Sequence, residues 1–222
     1  MTDLATLTDA LLSAAKKAGA ESADAIATHG TSVTINVLNG ALEQAERAEG
    51  TDIGLRVLIG KRQACVSASD TSPGTIATLA ERAVAMARLS PEDPPIGLAD
   101  PSEITHAWDI AALDLAEDAR EPDAAHFQNA ALEAEAAALS HKGITQADSV
   151  TAGYSNSAIH LAATNGFSGG YARTSHGLSC VAITGSGTDM ERDYFGDSRS
   201  HAADMMSPEE IGHIAAQRTL ER

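Results

Sequence analysis

The sequence predicts an α+β protein built from two similar subdomains, each an antiparallel sheet packed against helices. The first observation is that the order helix, strands, helix occurs twice along the 222 residues. The second is the dipeptide Asn-Gly, which occurs at Asn39-Gly40 and at Asn165-Gly166 and favours a tight hairpin turn with both central residues at positive φ. We place the first subdomain at residues 1–89, a connector at 90–123 and the second subdomain at 124–222.

In the first subdomain, the segment "LATLTDALLSAAKKAG" places its leucines and alanines on one face of a helix. From Ser22 to about Ser69 the hydrophobic period becomes two, which predicts four strands in "SVTINVL", "ALEQAERA", "DIGLRVLIG" and "QACVSAS". The turns are expected at Asn39-Gly40 and Gly60-Lys61. A second helix follows, with Ser72 as its N-cap and Pro73 at its first position.

Residues 90–123 are predicted to connect the subdomains, because they hold five of the seven prolines and ten acidic residues against the single base Arg120. The only tryptophan, Trp108, is expected to pin this connector against a domain, and ligand stacking is the alternative.

In the second subdomain, a helix capped by Asp123 and stopped at Gly143 precedes two extended stretches joined by Asn165-Gly166. A third extended stretch, "TDMERDYFGDSRS", leads to a last helix that begins with the capping box "SPEE". The order of elements therefore resembles that of the first subdomain.

Charge and composition exclude some functions. The formal net charge of −16 argues against binding nucleic acid through phosphate contacts. Cys65 and Cys180 lie far apart, so we expect two free thiols, both buried in strands as small hydrophobic groups. No apolar run approaches the roughly 20 residues of a membrane span. We therefore expect a cytoplasmic protein with no membrane contact.

The histidines do not form a recognisable metal motif. A helical zinc site usually reads H-E-x-x-H, whereas the eight histidines here are scattered. Glu210 and His213 are one turn apart, and we interpret them as surface residues. No nucleophile elbow of the G-x-S-x-G type occurs, and the glycines of "SGG" and "GSG" do not open a helix as a phosphate loop must. The sequence therefore predicts no catalytic residue and no metal ligand.

Two long stretches resemble the PmbA/TldD family. The first is "GAESADAIATHGTSVTINVLNGALEQAERAEGTDIGLRVLIGKRQACVSAS". The second begins "SNSAIHLAATNGFSGGYARTSHGLSC" and contains "MERDY" and "SPEEIGHIAAQR", which match the PmbA branch, also called TldE, better than the TldD branch. The resemblance covers essentially the whole chain. Because family members are about twice this length, it implies an N-terminal portion that lacks the family's C-terminal β-rich domain.

The resemblance implies a function. Members of the two branches are similar to the two kinds of subunit of a cytosolic metalloprotease that degrades or trims unfolded, extended peptides. The family's zinc motif belongs to the TldD branch and lies beyond the matched region, so zinc is expected only in a TldD-like partner and no cofactor in this chain. We therefore expect a non-catalytic subunit whose partners are a TldD-like protein and extended peptides. A homo-oligomer is left open for the isolated chain.

Two other interpretations stay open. The chain could be an enzyme with a site that motifs do not reveal, or a regulatory protein that binds DNA gyrase, as an older name of the family suggests. For the favoured interpretation, the candidate peptide contacts are Gly169 and Gly170 in "FSGGYARTSHG". An open strand edge can pair with an extended peptide, and glycines allow close backbone approach. The alternative is that these glycines form a bulge or a bend.

Overall fold

A computed structural model describes residues 3–118 and 120–222. The strands form one six-stranded antiparallel sheet in the order β3-β2-β1-β4-β5-β6. This arrangement confirms the α+β class, but the strands of the two sequence halves share a single sheet. The helices are α1 (Leu4–Ala18), α2 (Pro73–Leu89), α3 (Ala124–Leu139) and α4 (Pro208–Leu220), and the strands are β1 (Ser22–Leu38), β2 (Ala41–Ile59), β3 (Arg62–Ala68), β4 (Ile144–Ala163), β5 (Ser168–Thr184) and β6 (Glu191–Arg199).

Two of the four strands predicted for the first half are one strand. "ALEQAERA" and "DIGLRVLIG" lie in the uninterrupted β2, which has 19 residues. The first half of β2 is exposed on both faces, whereas its second half alternates between buried and half-buried residues. This change of burial pattern within one strand produced the false break in the sequence pattern.

The folded chain consists of two compact units. Unit 1 comprises the described residues of Met1–Gly30, Glu49–Leu113 and Ser157–Ala172, and unit 2 comprises those of Thr31–Ala48, Asp114–Asn156 and Arg173–Arg222. These units differ from the predicted subdomains, because the tip of each hairpin is grouped with the other half of the sequence. The four strands of the two hairpins have 17 to 20 residues, or about 55–65 Å at about 3.3 Å per residue. Strands of this length extend beyond one core.

Unit 1 buries one face of its strands under α1 and α2. Ser72 caps α2 by accepting a hydrogen bond from the Thr75 N–H, as predicted. Gly19 ends α1 in the left-handed conformation at φ 100°. The core consists mainly of alanine and branched aliphatic side chains, including Leu7, Leu11, Ala15, Ala25, Ile53, Leu55, Val57, Leu79, Ala83 and Val84.

Unit 2 buries one face of its strands under α3 and α4. These helices approach closely, because a Cβ on Gly212 would lie 2.2 Å from the Ala134 carbonyl oxygen. The predicted capping box of α4 is present: Ser207 accepts from the Glu210 N–H, and the Glu210 carboxylate accepts from the Ser207 N–H. The core includes Val33, Ile35, Val37, Phe127, Ala131, Val150, Leu178, Cys180, Ile211 and Ala215.

Both Asn-Gly pairs join strands, but in two different turns. Asn39 and Gly40 have φ values of 54° and 72°, which fit the two-residue type I′ turn. At the second pair only Gly166 has a positive φ, 99°. There the Gly166 N–H donates to the Ala163 carbonyl and the Ala163 N–H donates to the Phe167 carbonyl. This pattern belongs to a three-residue loop with a left-handed glycine, so the expectation of positive φ at Asn165 was wrong.

Candidate peptide-binding site

The two predicted contact residues lie in β5, directly after the second hairpin turn. A Cβ on Gly169 would lie 2.1 Å from Cζ2 of Trp108. The Trp108 ring stacks on Phe167 with centroids 5.7 Å apart and an interplanar angle of 22°. The prediction that Trp108 pins the connector is therefore confirmed, and Gly169 provides the space for its ring.

Gly170 has a different neighbour. A Cβ on Gly170 would lie 2.2 Å from the Ile159 carbonyl oxygen of β4. Neither Gly169 nor Gly170 has a positive φ, so left-handed conformation is not the reason for glycine at these positions. Both glycines permit close packing within unit 1, a role that their sequence context did not reveal.

The first part of β5 extends past its partner β6. β6 pairs with β5 only from His176 to Thr184, whereas β5 begins at Ser168. Because Phe167 bonds to Ala163 of β4, the backbone groups of alternate residues, such as Gly170 and Ala172, point away from β4. This part of the β5 edge therefore has the orientation that an added strand requires.

In unit 2, the end of the connector is bound to β5. The Thr174 N–H donates to the Leu115 carbonyl at 3.1 Å, and the Glu117 N–H donates to Thr174 Oγ1 at 2.8 Å. His201 Nε2 lies 3.1 Å from the Asp114 carbonyl oxygen, and this hydrogen bond is the main cause that raises the pKa of His201. These hydrogen bonds hold connector residues 114–117 against β5.

The bound connector places a carboxylate against a buried histidine. His176 is 5% exposed, and its Nε2 lies 2.8 Å from Glu117 Oε2. The Tyr154 ring packs on the imidazole with centroids 5.0 Å apart, and burial raises the pKa of the Tyr154 phenol. This group was not found from the sequence, because its members are far apart along the chain and form no motif.

The sheet face opposite α3 and α4 is lined by small polar residues in unit 2. Some of these hydroxyl groups bond to each other or to an amide: Thr151 Oγ1 donates to Asn36 Oδ1 at 2.8 Å, and Ser175 Oγ lies 3.1 Å from Ser198 Oγ. The face forms a concave surface with a volume of about 470 Å³. Its period-two pattern of serine, threonine and glycine can be seen in the sequence, at Ser32 and Thr34, at Thr151, Gly153 and Ser155, at Ser175, Gly177 and Ser179, and at Gly196 and Ser198.

Glu210 and His213, the pair one helical turn apart, each have another hydrogen-bond partner. Glu210 serves the α4 capping box, and Nδ1 of exposed His213 lies 2.9 Å from His141 Nε2. Among residues 3–118 and 120–222, no three His, Cys, Asp or Glu side chains are grouped so that they could hold a metal ion. That zinc is confined to a partner stays a prediction.

Both thiols are free, but only one is buried. Burial raises the pKa of Cys180 to about 12, and the charge of Glu135 adds to the effect. Cys65 is exposed, which corrects the expectation that both cysteines are buried. β3 alternates between buried and exposed residues, and Cys65 lies on its exposed face.

Across the described part of the chain, no helix is both long and apolar enough to cross a membrane.

The comparisons with known proteins agree on one family. The family profile "PmbA/TldA metallopeptidase domain 1" matches residues 23–87, and "PmbA/TldA metallopeptidase central domain" matches residues 100–222. Metalloprotease PmbA of Escherichia coli O157:H7 is 31% identical over 212 residues, which are 95% of this chain and 46% of that protein. A PmbA homologue of Haemophilus influenzae is 27% identical over 94% of the chain and 46% of its own length. The chain thus spans about half the length of these relatives.

Solved structures share the fold at low sequence identity. A protein of Bacteroides thetaiotaomicron, described as a candidate modulator of DNA gyrase, has a TM-score of 0.83 at 18% identity, over 97% of this chain and 49% of its own. TldE of Thermococcus kodakarensis has a TM-score of 0.75 at 14% identity, over 96% of this chain and 47% of its own. Since the central-domain profile alone matches more than half of the 222 residues, the chain belongs to the PmbA/TldD metallopeptidase family.

Proposed function

We propose that this chain is the N-terminal region of a PmbA/TldE-like subunit of a cytoplasmic metallopeptidase that acts on unfolded or extended peptides. In this proposal a TldD-like partner supplies the zinc and the catalytic residues. The matches to both family profiles support it, as does the relative named Metalloprotease PmbA at 31% identity. A TldE fold neighbour agrees with the choice of branch.

The observation that carries a peptide-binding role is the edge of β5 between Ser168 and Ala172. Its alternate backbone groups point away from β4, and β6 does not begin to pair until His176. An extended peptide that adds a strand gains main-chain hydrogen bonds without regard to its side chains. Such an edge suits a peptidase that accepts unfolded chains of many sequences.

The structure determines how this edge should be tested. Valine at Gly169 or Gly170 would collide with Trp108 or with the β4 backbone, so it would disturb packing as well as binding. Proline at exposed Ala172 instead removes an outward N–H and is tolerated at a strand edge. A172V is the matched control, because it keeps the N–H at the same position.

The assay uses the protein assembled with a zinc-bearing TldD-like partner. We expect A172P to lower kcat/KM for an unfolded peptide about five-fold, the equivalent of losing one hydrogen bond of about 1 kcal/mol, while A172V stays close to wild type. Equal activity of A172P and wild type, at equal thermal stability, would overturn the assigned edge.

A co-purification experiment tests the function itself. We expect the tagged chain to recover a TldD-like protein, and elemental analysis to find zinc with that partner and not with the isolated chain. Recovery of a gyrase subunit without a TldD-like protein would instead support the regulatory alternative. Chelator-sensitive peptidase activity of the isolated chain would show that the chemistry had been assigned to the wrong subunit.

A further inference from the structure

A cavity of about 280 Å³ lies in unit 2 between β5, the start of α3 and the segment before α4. We call it the α3–α4 cavity. Its walls include Phe127, Ala130, Leu178, Met205 and Met206. His176 is the buried polar side chain among the lining residues, and the exposed His126 and Ser207 also line the cavity. A mostly apolar wall with one fixed polar group is the usual composition of a small-ligand site.

The polar group of this cavity is held in one orientation. His176 Nε2 lies 2.8 Å from Glu117 Oε2, and Glu117 is itself anchored through its N–H to Thr174 Oγ1. In the tautomer that donates from Nε2 to this carboxylate, Nδ1 is the hydrogen-bond acceptor of the imidazole. Within the described part of the chain no hydrogen bond reaches Nδ1, and it is not among the fully enclosed atoms without a partner.

The volume and the walls limit what can bind. A volume of about 280 Å³ corresponds to about nine water molecules at roughly 30 Å³ each, which suits one aromatic ring with a small substituent. The apolar walls disfavour a charged ligand, because its desolvation would not be compensated. The flexible thioethers of Met205 and Met206 can adjust to a flat ring and make favourable sulfur–aromatic contacts.

We propose that the α3–α4 cavity binds a neutral aromatic group that carries one hydrogen-bond donor, of the phenol or indole type, with the donor directed to His176 Nδ1. Such a group is found in free small molecules and in the side chains of Tyr and Trp. The site is independent of the β5 edge and of the proposed peptidase role.

The test uses p-cresol, the side-chain analogue of tyrosine, and ligand-observed NMR titration of the 222-residue chain. A ligand of about eight non-hydrogen atoms is expected to bind with a Kd of about 1 mM or tighter. The methoxy analogue of p-cresol, which lacks the donor, should bind about ten-fold more weakly. Absence of saturable binding, or equal binding of the two compounds, would overturn the proposal.

Two variants of α3 locate the binding. Ala130 lines the cavity, so A130M should fill part of it and weaken p-cresol binding about ten-fold. Ala136 lies on the exposed face of the same helix, so A136M is the matched control and should bind like wild type. If A130M folds and binds like wild type, the assigned cavity is wrong.

A peptide titration distinguishes the two sources of the ligand, which are a free small molecule and a Tyr or Trp side chain. Extended peptides that differ only in a central Tyr or Leu are titrated against wild type and A130M. Tyr-dependent binding that A130M weakens supports a side chain as the natural ligand, whereas binding of p-cresol without Tyr-dependent peptide binding supports a free small molecule. Peptide binding that is equal for Tyr and Leu and unaffected by A130M would overturn the side-chain source.

Discussion

Replacing Glu135 with methionine should stabilise this protein, although the substitution removes a hydrogen bond. Glu135 is a helical residue of α3 that is only 2% exposed. Its Oε2 accepts the Gly40 N–H at 2.7 Å, whereas its Oε1 is buried without a hydrogen-bond partner in the described structure. One of the two oxygens of this buried carboxylate therefore accepts no hydrogen bond in the described structure.

The opposing free energies can be compared. The hydrogen bond from the Gly40 N–H to a charged acceptor contributes about 1.5–3 kcal/mol. The free-energy cost of losing it is smaller than this, because Gly40 is exposed and water can accept from its N–H. The desolvation of a buried carboxylate costs several kcal/mol, and an unsatisfied oxygen adds a cost of about 1–3 kcal/mol. Methionine has a similar length and a similar helix propensity, so it removes these costs without opening a large cavity.

We therefore expect E135M to raise the free energy of unfolding by about 1–2 kcal/mol. Urea denaturation followed by circular dichroism measures this change, and E135Q serves as the control that keeps an accepting oxygen and removes the charge. A free energy of unfolding of E135M that is lower than that of wild type by more than about 1 kcal/mol, with an unchanged m-value, would refute the reasoning. It would mean that the hydrogen bond to the hairpin outweighs the burial of the carboxylate.

Three further predictions concern thiols, pH and glycine. Cys65 should react at once with a thiol reagent at about pH 8, whereas Cys180 should react only after unfolding, because its side chain is buried and burial raises its pKa to about 12. The raised pKa of His201 means that its protonated form stabilises the fold, so the advantage of wild type over H201Q should be full below about pH 6.5 and lost as the pH rises through the folded-state pKa. G153A should lower the unfolding free energy by about 1–3 kcal/mol, since its Cβ would lie 2.8 Å from a β1 carbonyl oxygen. G177A, whose Cβ would make an ordinary 3.9 Å contact, should be neutral or stabilising by about 0.5–1 kcal/mol.

Each of these predictions has a result that contradicts it. Two thiols that react equally fast in the native protein would show that Cys180 is accessible. A difference between wild type and H201Q that grows from acidic to mildly alkaline pH would reverse the sign of the His201 contribution. Equal stability of G153A and G177A would show that β4 and β1 can separate without cost at this point.

Local features of the fold were predictable from the sequence because their causes are local. The N-cap of α2 at Ser72 and the capping box of α4 depend on residues within one helical turn. The type I′ turn at Asn39-Gly40 depends on the conformational preferences of two adjacent residues. The family resemblance was carried by continuous stretches, and the family profiles confirm it.

Features that depend on distant residues were missed. The second Asn-Gly pair lies in a three-residue loop, where Asn165 donates to the Ala99 carbonyl of the connector. The sequence predicts Gly169 as a peptide contact, but the connector places Trp108 against it. The pairing of His176 with Glu117 joins residues 59 positions apart, and no spacing rule connects them.

The sequence by itself determined the α+β class, the N-terminal caps of α2 and α4, the first hairpin turn and the family, since each follows from neighbouring residues or from long similar stretches. Only the tertiary structure decided that the strands form one sheet, that β2 is uninterrupted, and that Cys65 is exposed while Glu135 is buried. It also decided which polar groups meet around the α3–α4 cavity. The physical reason is that a repeating pattern specifies which face of an element is buried, whereas the neighbours of that face depend on strand pairing and helix packing between residues far apart in the chain.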